Sequence, residues 1–251
     1  MTFWDHIDEL RTTIVRVILV LLGLSVVLFC FKDTLFAVAL YPTQSDFILY
    51  RVFNHLASVT GIDDMRVEEW HLSLINTRLT GQLMMHLQCA FYGALIIGLP
   101  IILWLIFGYI SPALYAKEKR IARIMLSAGE LLFLMGVAIS YFLIFPLALR
   151  FLDTYTVSDN VSNMIDMSSY FDLFLVLSIL MGVLFQMPIL AFILSKIGLI
   201  NANLMSAYRK HAIIAIVTLN AVITPTTDIF TLALVSLPVF VLYEVSRLII
   251  K

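Results

Sequence analysis

The sequence contains four apolar runs, each long enough to cross a lipid bilayer as a helix. They cover residues 12–31, 83–107, 124–145 and 173–194. A transmembrane helix needs roughly 20 consecutive apolar residues, and each run meets that length. Hydrophobic residues make up 61% of the 251 residues and charged residues 13%, whereas soluble domains carry about 25% charged residues. The sequence therefore predicts an all-α integral membrane protein and disfavours a soluble enzyme, a nucleic-acid binder or a disordered chain.

Two shorter apolar segments, 212–223 and 229–243, follow near the C-terminal end. The turn between them, residues 224–228 (TPTTD), contains Pro and Asp, which interrupt regular structure. We therefore predict two short spans here rather than one long bent helix. With the first span retained rather than cleaved as a signal peptide, residues 1–251 form a single domain of six transmembrane spans, and both chain ends lie on the same side.

The distribution of Lys and Arg predicts which side is cytoplasmic. The two chain ends and the loops at 108–123 and 195–211 carry eleven basic and five acidic residues. The other three loops with their flanks carry five basic and eleven acidic residues. Because cytoplasmic segments of membrane proteins carry the excess of Lys and Arg, we predict that both termini are cytoplasmic. The formal net charge of −1 conceals these two opposite balances.

The sequence contains no familiar catalytic or metal-binding pattern. The His-Glu-x-x-His, Gly-x-Ser-x-Gly and Gly-x-x-x-x-Gly-Lys-Ser/Thr patterns are absent, and the five histidines are scattered over both predicted faces. Cys30 and Cys89 lie in separate apolar runs without CxxC spacing, which favours two small hydrophobic side chains. We therefore expect no enzymatic activity, no cofactor and no metal ion.

Two polar residues lie inside predicted spans, where lipid offers no hydrogen-bond partner. Gln186 precedes Pro188, which frees a backbone carbonyl one turn back; its amide satisfies either this local defect or a polar group of another subunit. Glu130 lies one or two turns inside the third span. It serves either as a partner-binding or proton-linked site, or as an acid that reaches Arg123 or water at the interface. Glu130 and Gln186 together would suit an ion-coupled secondary transporter.

Two polar clusters lie at predicted cytoplasmic ends of spans. Residues 6–11 (HIDELR) contain Glu9, and residues 111–120 (SPALYAKEKR) contain Glu118 as the only acid of a basic loop. Each carboxylate has two interpretations. It forms a weak surface ion pair with a neighbouring Lys or Arg, or it accepts a ligand guanidinium in bidentate fashion. A transporter needs neither carboxylate, and a purely structural membrane scaffold would lose nothing when Glu118 is replaced.

The order of these clusters resembles the TatC family of the twin-arginine protein translocase. The first cluster reads His6-x-x-Glu9-Leu10-Arg11, and the second reads Pro112-Ala-Leu-Tyr115-x-x-Glu118-x-Arg120. Further matches are YFxxFP at 141–146, FQMP at 185–188 and TPTTD at 224–228. Together these motifs extend from about residue 6 to residue 247, which is nearly the whole chain.

The resemblance implies a fold, a function and roles for individual residues. The fold is a concave, glove-like bundle of six transmembrane helices, the last two short, in the bacterial cytoplasmic (inner) membrane. The function is a receptor for the twin-arginine signal peptides of folded cargo, working with the single-span subunits TatA and TatB and with other TatC copies, and driven by the proton motive force. The implied signal-peptide contacts are Glu9, Arg11, Tyr109 and Glu118, the partner contact is Gln186, and residues needed for folding or transport are Pro42, Pro100, Pro112 and Asp228.

Overall fold

The computed structural model describes residues 3–60, 72–113, 115–158, 163–224 and 228–250, without the side chains of residues 3–6, 60, 113 and 116–118. Helices dominate these ranges. They are α1 (Phe3–Cys30), α2 (Lys32–Leu40), α3 (Ile48–Thr60), α4 (Gly81–Ile110), α5 (Ala116–Ile139), α6 (Phe145–Thr154), α7 (Met167–Leu184), α8 (Met187–Lys196), α9 (Ala202–Ala207), α10 (Arg209–Ile223) and α11 (Ile229–Ile249). Two short strands, β1 (Leu74–Ile75) and β2 (Ile165–Asp166), pair in parallel. The all-α membrane fold is confirmed.

Five helical stretches of the described chain are long and apolar enough to cross a membrane. They are Ile7–Cys30, Gly81–Ile110, Lys119–Thr154, Met167–Lys196 and Ile229–Ile249. The predicted fifth span corresponds to α10, which has 15 residues. At 1.5 Å per residue it is about 22 Å long, shorter than the roughly 30 Å hydrocarbon core of a bilayer. The six predicted spans therefore correspond to these five stretches and the short α10.

The last helix is longer than predicted. The prediction ended this span at residue 243, before two charged residues, but α11 continues to Ile249. The Glu244 carboxylate pairs with Arg209 Nε at 2.6 Å and with Arg247 Nη2 at 2.9 Å. Because Glu and Arg are good helix formers, the helix continues past the end of its apolar segment. Of the two helices expected to be short, only α10 is.

Two transmembrane stretches are interrupted just before a proline. A π-helical segment, Ser140–Ile144, joins α5 to α6 ahead of Pro146. Phe185 and Gln186 form a turn between α7 and α8 ahead of Pro188. Proline lacks a backbone N–H, and its ring clashes with the carbonyl one turn back. The regular α-helical hydrogen bonds are therefore interrupted in the turn before each proline.

The core of the bundle lies around α7, which packs closely against α5. Tyr170, Leu177 and Met181 of α7 are at most 1% exposed. A Cβ atom added to Gly136 would lie 2.5 Å from the Met181 carbonyl oxygen, and one added to Gly182 would lie 2.5 Å from the Phe133 ring. These distances are far inside van der Waals contact. The α5–α7 spacing therefore requires glycine at both positions.

We call the end of the bundle predicted to face outward the outer end, and the opposite end the inner end. At the outer end, tyrosine hydroxyls hold the polypeptide around Pro42. Tyr141 and Tyr170 donate to the carbonyls of Val38 (2.8 Å) and Ala39 (2.7 Å). The Tyr50 hydroxyl lies 3.3 Å from the Pro42 carbonyl oxygen. Burial raises the pKa of the Tyr50 hydroxyl, so this group stays protonated and able to donate.

Asp166 joins two segments distant in sequence at the outer end. It belongs to β2, and it caps α7 by accepting a hydrogen bond from the Ser168 backbone N–H at 3.1 Å. Its other carboxylate oxygen accepts from the Thr77 hydroxyl at 2.9 Å. Hydrogen bonds from the Ser168 and Thr77 side chains lower the pKa of Asp166 from 3.8 to about 2. The carboxylate therefore connects α7 to the segment after β1.

Candidate functional site

A polar cleft of about 480 Å³ opens at the inner end between α1 and α4; we call it the α1–α4 cleft. Its lining residues are Asp8, Glu9, Thr12, Thr13 and Arg16 from α1, and Trp104, Leu105, Gly108 and Tyr109 from α4. Residues three or four apart lie on one face of a helix, and both sets follow this spacing. Helical geometry therefore assembles each wall, and the packing of α1 against α4 creates the space between them.

Glu9 is the chemically distinctive residue of the α1–α4 cleft. Its side chain is half-buried, and its buried Oε2 atom has no hydrogen-bond partner among the described residues. The nearby Thr13 hydroxyl donates to the Glu9 backbone carbonyl at 2.9 Å rather than to the carboxylate. Burying an unpaired carboxylate oxygen is unfavourable. Glu9 is therefore prepared to accept hydrogen bonds from a cationic ligand.

The charges of the α1–α4 cleft are mixed. Asp8 and Arg16 are both exposed and both line it. Within the described residues, Arg16 forms no ion pair with Asp8 or Glu9. The cleft thus offers the carboxylates of Asp8 and Glu9 to a cationic ligand. Arg16 repels such a ligand, so binding requires directed hydrogen bonds to the carboxylates that outweigh this repulsion.

The structure brings some of the predicted peptide-binding residues together and separates another. Glu9 and Tyr109 line the same cleft from opposite helices. Arg11 is exposed but does not line the cleft, because two residues along a helix turn a side chain to another face. Glu118 lies in the first turn of α5, and its side chain lies outside the described part of the structure. Its predicted role therefore stays a prediction.

Asp8, Arg16 and Trp104 also line this cleft, but none of them was among the residues predicted to contact the peptide. The spacing of residues 8, 9, 12, 13 and 16 on one helix would have indicated the α1 wall. Trp104 has no comparable signal, because it is separated from Glu9 by 95 positions in the sequence. Only the packing of the two helices places them in one cleft.

A second, apolar hollow of about 520 Å³ lies between α5 and α8 and contains Gln186. Gln186 Nε2 donates to the Gly129 carbonyl of α5 at 3.0 Å. The amide therefore bonds a neighbouring helix of its own chain, rather than the carbonyl freed by Pro188. Its Oε1 atom accepts no hydrogen bond from the described residues. That acceptor remains for a group outside the chain, so contact with a partner subunit stays a prediction.

Glu130 does not share a site with Gln186. The hollow around Gln186 is lined by Gly129 but not by Glu130, since consecutive residues diverge by about 100° around a helix. The buried Glu130 Oε1 atom has no hydrogen-bond partner in the part of the chain that the structure describes. Within the described chain, Arg123 forms no ion pair with it. The mid-membrane ion site considered for a transporter is therefore not formed by these two residues.

The residues predicted to be needed for folding or transport lie in turns, within a helix or at a helix cap, and their roles stay predictions. Pro42 is buried in a 3-10 turn, and Pro100 lies within the continuous helix α4. Pro112 is exposed in the turn Ser111–Ala113 that follows α4. Asp228 caps α11, because its Oδ2 accepts from the Thr231 backbone N–H at 2.6 Å. Residues 225–227 of the preceding turn lie outside the described ranges.

The sequence matches a known protein family over almost its whole length. The model of the family described as Sec-independent protein translocase protein (TatC) matches residues 5–238. The chain belongs to the TatC family. A TatC protein of Blattabacterium sp. subsp. Periplaneta americana is 31% identical over 249 residues, covering 98% of this chain and 93% of that protein. A TatC protein of Deinococcus radiodurans is 31% identical over 244 residues, covering 97% and 83%.

Solved TatC structures share the fold. The crystal structure described as the twin-arginine translocase receptor TatC in DDM matches with a TM-score of 0.75 at 28% identity, covering 98% of this chain and 99% of the other. This TatC chain is therefore a multi-pass membrane protein and a core component of a Sec-independent protein translocase. Family membership does not favour the ion-coupled transporter considered from Glu130 and Gln186. Within the described residues, no group of three or more His, Cys, Asp or Glu side chains could hold a metal ion.

Proposed function

We propose that this TatC protein is the receptor that binds the twin-arginine signal peptides of folded cargo proteins at its cytoplasmic face. The observation that carries the proposal is the buried, unpaired Oε2 of Glu9 inside the α1–α4 cleft. Arginine stays protonated and presents planar, paired N–H donors to a carboxylate, whereas lysine offers a compact point charge. The cleft should therefore prefer arginine to lysine.

Other residues complete the proposed receptor site. Tyr109 shares the cleft with Glu9. Glu118 lies in the first turn of α5, soon after the exposed turn at Pro112, and we assign to it the guanidinium of the second arginine. Arg11 lies outside the cleft, so its contact with the peptide would involve residues flanking the arginine pair. The complex needs no enzymatic step from this protein, and the proton motive force supplies the energy for transport.

We assign partner binding to a separate surface. The free acceptor of Gln186 lies in an apolar hollow, which suits a transmembrane helix carrying a polar donor. The single-span subunits TatA and TatB, and other TatC copies, are the proposed neighbours in the translocase. Peptide binding at α1–α4 and partner binding at α5–α8 thus use different helices.

Photo-crosslinking tests the receptor assignment. A photoreactive amino acid replaces Thr12 inside the cleft or Lys119 beside Glu118, and membranes receive matched signal peptides with Arg-Arg or Lys-Lys. We expect the Arg-Arg peptide to be labelled at both positions and the Lys-Lys peptide to be labelled much less. A probe at Val26, exposed on α1 away from the cleft, is the control. Equal labelling by both peptides would contradict the proposal.

A further inference from the structure

We infer that Trp104 determines the preference of the α1–α4 cleft for arginine, because its indole ring stacks on the guanidinium that pairs with Glu9. The inference rests on the proposed receptor function and assigns a specificity residue within that site. The chemical partner is a peptide arginine side chain that presents its edge to a carboxylate and its face to an aromatic ring.

The position of Trp104 makes this contact available. Trp104 belongs to α4 and lines the cleft whose other wall carries Glu9. It precedes the end of α4 at Ile110 by six residues, which is about 9 Å at 1.5 Å per residue. The side chain is 42% exposed, so part of the ring is open to a ligand while the rest is packed.

Packing restricts the orientation of the indole ring. Phe107, one turn further along α4, meets it edge to face with ring centroids 5.9 Å apart and an interplanar angle of 84°. Such an aromatic pair is favourable beyond its buried area. The indole is thus held by its own helix before any ligand binds, which reduces the ordering cost of binding.

The two walls of the cleft together distinguish arginine from lysine. A guanidinium group is planar, so it can donate two parallel hydrogen bonds to Glu9 and still place its flat face on an indole. An ammonium group is strongly hydrated and has no flat face. Arg16, in the same cleft, repels any cation whose binding is not compensated by such directed contacts. The discrimination therefore needs both the carboxylate and the ring.

Trp104 also lies where tryptophan often anchors a helix at the membrane interface. The two roles make different predictions. Loss of an anchor changes the stability of α4 and weakens every peptide equally. Loss of a stacking surface weakens mainly the arginine peptide, and a phenylalanine in its place restores part of the effect.

The experiment measures dissociation constants of fluorescently labelled Arg-Arg and Lys-Lys signal peptides by anisotropy on the full chain in detergent. Trp104→Leu should weaken Arg-Arg binding about five- to tenfold, a size expected from losing one cation–π contact, and weaken Lys-Lys binding much less. Trp104→Phe should retain most of the preference. Phe91→Leu, which removes an exposed ring of the same helix outside the cleft, is the matched control, and unfolding temperatures verify that each variant is folded.

A second measurement observes the indole directly. The chain has three tryptophans, and replacing Trp4 and Trp70 by Phe leaves Trp104 as the only one. Its fluorescence should change when the Arg-Arg peptide is added and change much less with Lys-Lys. An unchanged signal, or equal weakening of both peptides by Trp104→Leu, would overturn the role of Trp104 while the receptor function stands. An unmodified chain without any Arg-Arg preference would overturn the receptor function as well.

Discussion

At the scale of single residues, Glu9 Oε2 and Asn220 Oδ1 both lack a hydrogen-bond partner among the described residues, but they differ in access. Glu9 in the α1–α4 cleft is half-buried but accessible to a ligand, so its missing partner can be supplied from outside. Asn220, by contrast, is fully buried and donates to Ser236 Oγ at 3.0 Å. Both side chains are polar, but only the first has an open approach. Access to a ligand, more than polarity, therefore separates a binding group from a structural one.

Gln186 provides a prediction at this scale. Gln186→Ala removes the free Oε1 acceptor together with the Nε2 hydrogen bond to Gly129. We expect less of the single-span partner to co-purify with the chain after mild detergent extraction, because interhelical hydrogen bonds in membranes contribute about 0.6–2 kcal/mol.

The control for Gln186 is Asn220→Ala, which also removes an interhelical hydrogen bond but is fully buried inside the chain. It should leave recovery of the partner unchanged. If the Gln186→Ala variant recovers as much partner as the unmodified chain, partner binding by Gln186 is disproved and its side chain only joins α5 and α8.

At the scale of elements, two glycines set how closely α5 and α7 approach each other. Gly136 and Gly182 each face an atom of the opposite helix at a distance that excludes a side chain. Phe133 of α5 packs on the surface left open by Gly182. Small residues allow such close approach between membrane helices. Because α8 continues from α7, this contact also positions Gln186 and the hollow between α5 and α8.

Gly136→Ala should therefore destabilise the bundle. Its Cβ atom would lie 2.5 Å from the Met181 backbone carbonyl oxygen, an atom that moves only if α7 moves. Overpacking of this kind costs about 1–3 kcal/mol, and the thermal unfolding midpoint in detergent should fall. Gly23→Ala is the matched control, since a Cβ at Gly23 meets nothing within 4 Å. Equal midpoints for the two variants would disprove the steric explanation.

The contact between β2 and the segment after β1 should depend on pH. The pKa of Asp166 is lowered from 3.8 to about 2 by hydrogen bonds from Ser168 and Thr77. A lowered pKa stabilises the folded state above the unfolded-state value, and this contribution is lost as pH falls through the folded value. We therefore expect the unfolding midpoint to fall between about pH 4 and pH 2.

Asp166→Asn tests this pH dependence. The unfolding midpoint of this variant should already be lower at pH 6. It should then fall less than that of the unmodified chain between about pH 4 and pH 2, because the titrating carboxylate is gone. Asp172→Asn, which removes an exposed acid of α7 that forms no hydrogen bond with the described residues, is the control. An Asp166→Asn curve parallel to that of the unmodified chain would contradict the assignment.

At the scale of the whole molecule, the distribution of charged residues and the proposed role of the α1–α4 cleft indicate the same orientation in the membrane. The α1–α4 cleft lies at the end of the bundle that carries the excess of Lys and Arg, and the caps formed by Asp166 and Asp228 lie at the acidic end. A receptor for peptides made inside the cell needs its binding site on the cytoplasmic side. The positive-inside rule predicts the same orientation.

Cysteine labelling tests the orientation. In a chain with Cys30 and Cys89 replaced by Ser, Thr156→Cys after α6 should react with a membrane-impermeant reagent added outside the cell. Asn203→Cys in α9 should react only after the membrane is permeabilised. Both positions are exposed in the structure, so a difference in reactivity reports the side of the membrane. The opposite pattern would invert the predicted topology.

Much of the fold followed from the sequence because apolar run length and helical period are local properties. The long spans and the short α10 could be predicted in this way, whereas the turn at Phe185 and Gln186 interrupts a span that was predicted to be continuous. The end of α11 did not follow from the apolar run, since charged residues continue the helix beyond it, and the Arg209 that pairs with Glu244 lies 35 positions earlier. The pairing of residues 74–75 with 165–166 likewise depends on contacts between distant segments.

For the site, the chemistry could be read from the sequence alone: an acid at position 9, an inner surface rich in Lys and Arg, and a polar residue in the fourth span. These follow from residue type and position relative to the membrane. Only the tertiary structure decided that Glu9 and Tyr109 share a cleft, that Arg11 does not, and that Trp104 completes its wall. The physical reason is that a side chain's environment depends on which helices pack together, and α1 and α4 meet through contacts between residues nearly a hundred positions apart.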